Sequence, residues 1–137
     1  MIVADTGAIV ALIDADDQHH AKMVALFERD PAGWILPWAI LPEVDYLLLR
    51  HVGDDAERAF VRDVADGAYI VEWNGEEDVE RARELIEQYG SLKLGLVDAL
   101  VMAVAERLRA AAIATLDLRD FAAVDIRGRP RLYPRDG

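Results

Sequence analysis

The sequence predicts an α/β domain with a mainly parallel sheet lying between helices. Three observations predict it. Short apolar runs that suit buried strands alternate along the chain with longer stretches of helical periodicity. The 137 residues are 53% hydrophobic, and at this length about two-thirds of the unfolded chain's surface can be buried. No internal repeat, low-complexity tract or linker breaks the pattern, so residues 1–137 read as a single domain.

The elements follow in order. "MIVA" is a short apolar run that ends at an acid, as a buried strand would. "DTGAIVALID" then starts a helix with Asp5 or Thr6 as its cap. In "DQHHAKMVALFER" the apolar residues Ala21, Val24, Ala25 and Phe27 gather about one helical face. "GWILP" is a strand bounded by Gly33 and Pro37. "AILPEVDYLLLRHVG" is helical if Pro42 lies in its first turn, where a missing N–H costs nothing. "DAERAFVRDVADG" places Ala56, Ala59, Phe60 and Val64 together and stops at Gly67.

"YIVEW" is the next strand. "EEDVERARELIEQYG" sets Val79, Ala82, Leu85, Ile86 and Tyr89 at spacings of three and four, a surface helix with one buried stripe. "GLVDALVMAVAERL" is apolar nearly all round, so that helix is buried. "AAIATLD" is a strand ending in an acid, and "RPRLYP" a last short one.

Composition excludes several function classes. There is no cysteine, hence no disulfide and no thiolate metal site, in keeping with a reducing cytoplasm. No uncharged apolar run reaches the roughly 18 residues of a membrane span, and the N-terminus lacks the basic start of a signal peptide. A net charge of −11 argues against a general nucleic-acid coat. The charge is uneven, however. Residues 119–137 carry five arginines against three aspartates, leaving −13 on residues 1–118. Two readings stand for that tail, a solvated C-terminus or an anion-binding edge.

Most of the 26 acids lie on charged faces, but four do not. Asp5 ends the first strand. Glu43 opens a helix dominated by Val44, Leu47, Leu48 and Leu49. Asp98 lies between "GLV" and "ALVMAVA", and Asp117 ends "IATL". Singly, each has a plain explanation as a helix cap or turn residue. Jointly they suggest more. Sites in open α/β sheets form beyond the carboxyl ends of the strands, where Asp5 and Asp117 would both lie. Helices starting at that edge would bring Glu43 and Asp98 there too. Four carboxylates without cations repel one another, and a divalent ion is the simplest neutraliser. An all-oxygen donor set selects a hard ion, Mg²⁺ or Mn²⁺, which can activate water and stabilise an attacked phosphodiester.

With "IVADTGAIVALID", "LPEVDYLLLR", "GLVDALVMAVAERL", "IATLDLRDF" and "RPRLYP", the sequence resembles a PIN domain over essentially its whole length. Within that family it resembles the VapC-type toxin ribonucleases of type II toxin–antitoxin pairs. The resemblance implies a three-layer α/β/α sandwich, Mg²⁺- or Mn²⁺-dependent endoribonuclease activity leaving a 5′-phosphate and a 3′-hydroxyl, a homodimer, and inhibition by a cognate antitoxin. It implies a metal pocket of Asp5, Glu43, Asp98 and Asp117, with Thr6 and Thr115 supporting it by hydrogen bonds and Asp120 as an extra acid. One ion or two are both compatible with four acids.

The same residues admit other readings. D-T-G is also the half-site signature of aspartic proteases, but those use two copies in all-β lobes, and here one copy precedes a helix. A phosphoacceptor receiver domain shares the size and an acidic pocket. It needs an acid pair after the first strand and a late lysine, yet Lys93 is the last lysine here. A PIN fold kept only for binding would not need all four acids. His19 and His20 are neighbours, which point apart on a helix, and so read as surface residues rather than a metal pair. Trp34, Trp38 and Trp73 are read as core or dimer packing, with base stacking as the functional alternative. Lys93 and Arg119 are candidate phosphate contacts or simply solvated charges.

Overall fold

In the computed structural model, which describes residues 1–137, five short strands form one sheet in the order β3-β2-β1-β4-β5. The strands are β1 (Ile2–Ala4), β2 (Trp34–Pro37), β3 (Ile70–Glu72), β4 (Ala112–Ala114) and β5 (Arg131–Tyr133). Every neighbouring pair is parallel. The helices are α1 (Thr6–Ile13), α2 (His20–Arg29), α3 (Leu41–His51), α4 (Asp54–Ala65), α5 (Glu76–Gln88), α6 (Leu96–Arg107) and α7 (Leu118–Ala123). Parallel strands require crossovers, and the helices supply them on both faces of the sheet. The result is a three-layer α/β/α sandwich.

Strand and helix choice follow the local chemistry. β2 is wholly buried, as its unbroken "WILP" run demands. Pro42 sits in the first turn of α3, where proline is tolerated. α6 buries seven consecutive residues, Ala99 to Ala105, because it lies between the sheet and α5. The core joins Trp34, Leu36 and Ile113 of the sheet to Ile9, Met23, Val44, Leu48, Met102 and Phe121 of the surrounding helices. Each such side chain contributes about 1.5–3 kcal/mol by burial. No helix is long and apolar enough to cross a membrane.

Three expectations need correction. The stripe of α5 runs through Asp78, Ala82 and Leu85, so Asp78 is buried and Val79 is half exposed. The reason is an arginine: Arg107 of α6 grips both oxygens of Asp78 at 2.9 and 3.0 Å, making the acid the better core neighbour. α7 was not foreseen. Of the tryptophans, only Trp34 is core, while Trp38 and Trp73 are exposed, which corrects the core half of their reading, core or dimer packing.

Candidate active site

β1 is the middle strand. The chain leaves it toward β2 and β3 on one side and later fills β4 and β5 on the other. The switch in direction falls between β1 and β4, and a crevice opens beyond the carboxyl ends of such a strand pair. Asp5 and Thr115 are the first residues past those two ends, tied by the bond from the Asp5 N–H to the Ala114 carbonyl at 2.9 Å.

Asp5 is the N-cap of α1. One carboxylate oxygen accepts the Thr6 N–H at 2.8 Å. The other accepts the Thr115 hydroxyl at 2.9 Å, and that hydroxyl itself accepts the Asp117 N–H at 3.0 Å. Thr115 is fully buried, so its hydroxyl spaces Asp5 and Asp117 rigidly. Asp117 in turn caps α7, accepting the Asp120 N–H at 3.3 Å. Thr6 supports the pocket through its backbone N–H. Its own hydroxyl is buried without a partner, so the hydrogen bond expected of that side chain is not made.

Asp98 enters from the first turn of α6 and Glu43 from the first turn of α3. Neither side chain makes a capping hydrogen bond, though both stand in the first turn, where the helix N-terminus favours a carboxylate. One oxygen each from Asp98, Asp117 and Asp120 lie within 4.8 Å of one another. Asp5 adjoins this trio through Thr115, while Glu43 lies outside it and is exposed. Asp120 therefore belongs to the tightest part of the cluster. One of its oxygens is covered from solvent yet has no hydrogen-bond partner.

The electrostatics reflect crowding without cations. Burial, and then the charges of Asp5, Asp117, Asp120 and Glu43, push the Asp98 carboxyl up to about 7. Burial raises Asp5 to about 6 against its two hydrogen bonds, with Glu43 and Asp117 adding to the rise. Asp120 is raised as well, by desolvation and then by Asp117. No lysine, arginine or histidine makes an ion pair with any of the five acids. Arg119 on α7 weakly favours the charged form of Asp120, and it is exposed. Lys93 is exposed just before α6, in a left-handed conformation with φ 55°.

Of the tail's arginines, Arg119 lies beside the pocket, whereas Arg127, Arg129 and Arg131 do not. Arg131 opens β5, and Arg127 and Arg129 precede it, at the amino edge of the sheet. The Arg127 N–H is bound to Glu106 near the far end of α6, about 12 Å along that helix from Asp98. His19 and His20 sit at the start of α2, and His20 Nδ1 lies 2.9 Å from the Ala11 carbonyl. They form no site with the acids.

The donor chemistry fits a hard divalent ion. Every ligand on offer is a carboxylate oxygen, one of them buried and unsatisfied, and the charges cannot all coexist without a counter-cation.

Comparison with known proteins identifies the family and the fold. The PIN domain family model matches residues 2–127. The ribonuclease VapC26 of Mycobacterium tuberculosis is 32% identical over 123 residues, which cover 90% of this chain and 91% of that protein. The crystal structure of VapC20 from the same species, a toxin that cleaves the sarcin–ricin loop, superposes with a TM-score of 0.81 at 25% identity. That match covers 93% of this chain and 98% of VapC20. A toxin–antitoxin complex from Klebsiella pneumoniae contains a chain of the same fold, at a TM-score of 0.69 and 21% identity, covering 91% of this chain and 93% of that one. The protein therefore belongs to the PIN domain family, among its VapC-type ribonucleases.

Proposed function

We propose that residues 1–137 act as one catalytic unit, an endoribonuclease that hydrolyses RNA phosphodiester bonds with Mg²⁺ or Mn²⁺ held by its acidic cluster. The observation that carries the reading is Asp98, a half-buried carboxylate with no cation beside it and four further acids raising its pKa. Asp98, Asp117 and Asp120 would hold the ion, with Asp5 and Glu43 flanking them. A bound divalent ion supplies Lewis-acid charge and a water acidic enough to attack phosphorus near neutral pH.

The chain's own groups do the rest. Thr115 keeps Asp5 and Asp117 at fixed spacing, so the acids meet an ion without reorganising. Glu43 is exposed, close enough to Asp5 and Asp98 for its charge to act on both, and would meet the RNA from the solvent side. The protein as a whole is acidic, so an ion in the pocket also removes the local repulsion of the substrate's phosphates. Cleavage of a defined RNA in Mg²⁺ or Mn²⁺, set against the same reaction in excess chelator, tests the reading. Undiminished cleavage in chelator would exclude it.

The full-length likeness to VapC ribonucleases supports a second part of the reading. The chain is the toxin of a pair, working in the cytoplasm as a homodimer and held inactive by a co-encoded antitoxin. The antitoxin presents an arginine to the acidic pocket, since a guanidinium fork matches paired carboxylates and would occupy the ion's position. Purification from the native host followed by mass spectrometry should recover a small basic partner. Recovery of none counts against the toxin role but leaves the nuclease chemistry standing.

A further inference from the structure

The tail's positive charge is not absorbed by the fold. Residues 119–137 carry five arginines and three aspartates, a net +2, while residues 1–118 sum to −13. All five arginines are exposed, and only Arg135 makes an ion pair, with its neighbour Asp136. Solvated charges need no ligand in themselves, so what matters is where these stand.

Arg119 stands between two members of the acidic trio. Asp117 caps α7 and Asp120 lies in its first turn. Phe121 is buried in the core, so Arg119, two positions earlier and about 200° round the helix, takes the outer face. It is near enough for its charge to act on Asp120, yet it makes no ion pair. Its guanidinium is therefore free to meet another anion at the rim of the pocket.

A cleft leads away from that point. Residues three apart on a helix share a face, so Ala122 lies on the same side of α7 as Arg119. Ala122 lines an open cleft of about 320 Å³ between α7 and the tail, and Arg129 and Arg135 line it as well. Arg135 is tied to the pocket from the other side. Tyr133, two residues before it, accepts the N–H of Thr115, whose hydroxyl links Asp5 to Asp117. The cleft is thus joined to the acids at two points, through α7 and through the end of β5. Arg135 gives Nε and one Nη to Asp136, which leaves its other Nη unused. One acid, Asp125, also lines the cleft and is exposed.

A phosphodiester backbone suits this surface. It presents one negative charge per nucleotide, and a guanidinium fork matches phosphate oxygens. The remainder of the chain repels such a backbone, so a strand leaving the pocket is drawn toward the tail. We propose that Arg119, Arg135 and Arg129 form a phosphate-binding track for the RNA strand beyond the scissile bond, which rests on the ribonuclease reading for its ligand. Arg119 meets the phosphate nearest the ion, and the cleft takes those further along.

The test uses the full chain and a short, labelled, unstructured RNA. Fluorescence anisotropy in chelator, where hydrolysis lacks its ion, gives the affinity over a range of KCl. Single-turnover cleavage in Mg²⁺ gives the half-saturating enzyme concentration and the saturated rate. Arg119→Gln, Arg129→Gln and Arg135→Gln should each weaken binding roughly threefold to tenfold at low salt. Each should lower the slope of log affinity against log salt by about 0.7, the value for one lost contact to a single strand. The saturated cleavage rate should stay within about twofold of wild type, because these groups hold the strand and not the reacting atoms. Arg119→Lys should restore most of the affinity and the slope. Arg58→Gln, on α4, which packs on α3, should be silent.

Circular dichroism checks folding, and Arg119→Gln is the safest variant because that side chain holds no partner. Wild-type affinity and slope in all three glutamine variants overturn the track. An equal loss in Arg58→Gln also overturns it, since charge anywhere on the surface would then serve. A fall in the saturated rate of Arg119→Gln at unchanged affinity would move Arg119 to the reacting atoms, and it too overturns the track. Wild-type protein that binds RNA through these arginines but never cleaves it keeps the track and sinks the ribonuclease reading. Cleavage by wild type with no binding loss in the variants does the reverse.

Discussion

Two groups of wholly or partly buried acids lie at opposite ends of α6, and they are treated differently. At its carboxyl end, Asp78 of α5 is 2% exposed and held by both arms of Arg107, and Glu106 is held by Arg81 at 2.7 and 3.0 Å. At its amino end, Asp98 joins Asp117 and Asp120, none of them in an ion pair. In the first group the arginines are part of the fold, and the Glu106 carboxyl is lowered despite its burial. In the second, burial and mutual repulsion raise the pKa values. Burial alone therefore does not identify a functional acid. The absence of a built-in counter-charge does, because the missing charge must come from outside the chain.

The largest effect that would break the comparison lies in cleavage. Asp5→Asn, Glu43→Gln, Asp98→Asn and Asp117→Asn each keep shape and remove one charge. Each should slow RNA cleavage at least tenfold, or about 1.4 kcal/mol of barrier. The losses should not add, because groups that share an ion fail together. Asp120→Asn should fall in the same class, given its place in the trio. Wild-type rates in two or more of the original four would mean that these acids do not share a site.

Stability should show the opposite pattern. Asp78→Asn leaves Arg107 facing an amide, and Arg107 is only 24% exposed. We expect a loss of about 2–3 kcal/mol in denaturant unfolding, toward the low end for breaking a buried pair because Arg107 also meets Glu72 and the Asn74 carbonyl. The cleavage rate per folded molecule should be nearly unchanged. Asp98→Asn in chelator should leave stability unchanged or slightly raised, since it relieves repulsion. A large drop for Asp98→Asn would show that the acid supports its helix rather than a ligand.

The response to pH should separate the groups again. Without metal, Asp5 and Asp98 bind protons more tightly when folded, at about 6 and about 7, than their ordinary value of 3.8. Their contribution to stability is thus full below about pH 4 and is lost as pH rises through 6 and 7. Glu106 and Asp136, lowered by arginine partners, contribute above their ordinary values of 4.5 and 3.8, and that contribution is lost as pH falls below them. The chelated protein should be more stable at pH 5 than at pH 7.5, and the Asp5→Asn/Asp98→Asn double variant should flatten that slope. Saturating Mg²⁺ should cancel it, by holding the carboxylates charged. A wild-type slope retained in the double variant would place its origin elsewhere.

The two groups also differ in how far the sequence revealed them. Asp5, Asp98 and Asp117 interrupt apolar runs, and an acid in such a frame stands out. Glu43 does so less clearly, and it is the most exposed of the four. Asp78 was hidden, because "EEDVERARE" is charged throughout and nothing local distinguishes the one acid whose partner lies 29 residues away. Its burial displaced Val79 from the expected stripe. The parallel sheet was readable from alternation alone, whereas α7 has six residues, too few for periodicity to register. Asp120's membership in the trio follows from that short helix. Trp73 follows β3, and that β3 is an edge strand is set by long-range pairing.

The smallest expected effect tests whether the arginine group is a set of pairs or one network. Arg81 is held in a fork by Glu106 and makes a third contact to Glu84 at 3.1 Å. Glu84 is 44% exposed, so that contact works mostly through solvent. An exposed i,i+3 pair on a helix is worth only a few tenths of a kcal/mol. Glu84→Gln should therefore change stability by less than about 0.5 kcal/mol and leave cleavage untouched, as should Glu77→Gln, whose carboxylate is 75% exposed beside Arg107. If Glu84→Gln instead costs more than about 1 kcal/mol, Arg81 needs all its partners to stay in place. The cluster would then act cooperatively through Glu106 to the Arg127 backbone. A double-mutant cycle of Glu84→Gln with Glu106→Gln decides between the two, since independent pairs give additive losses and a network does not.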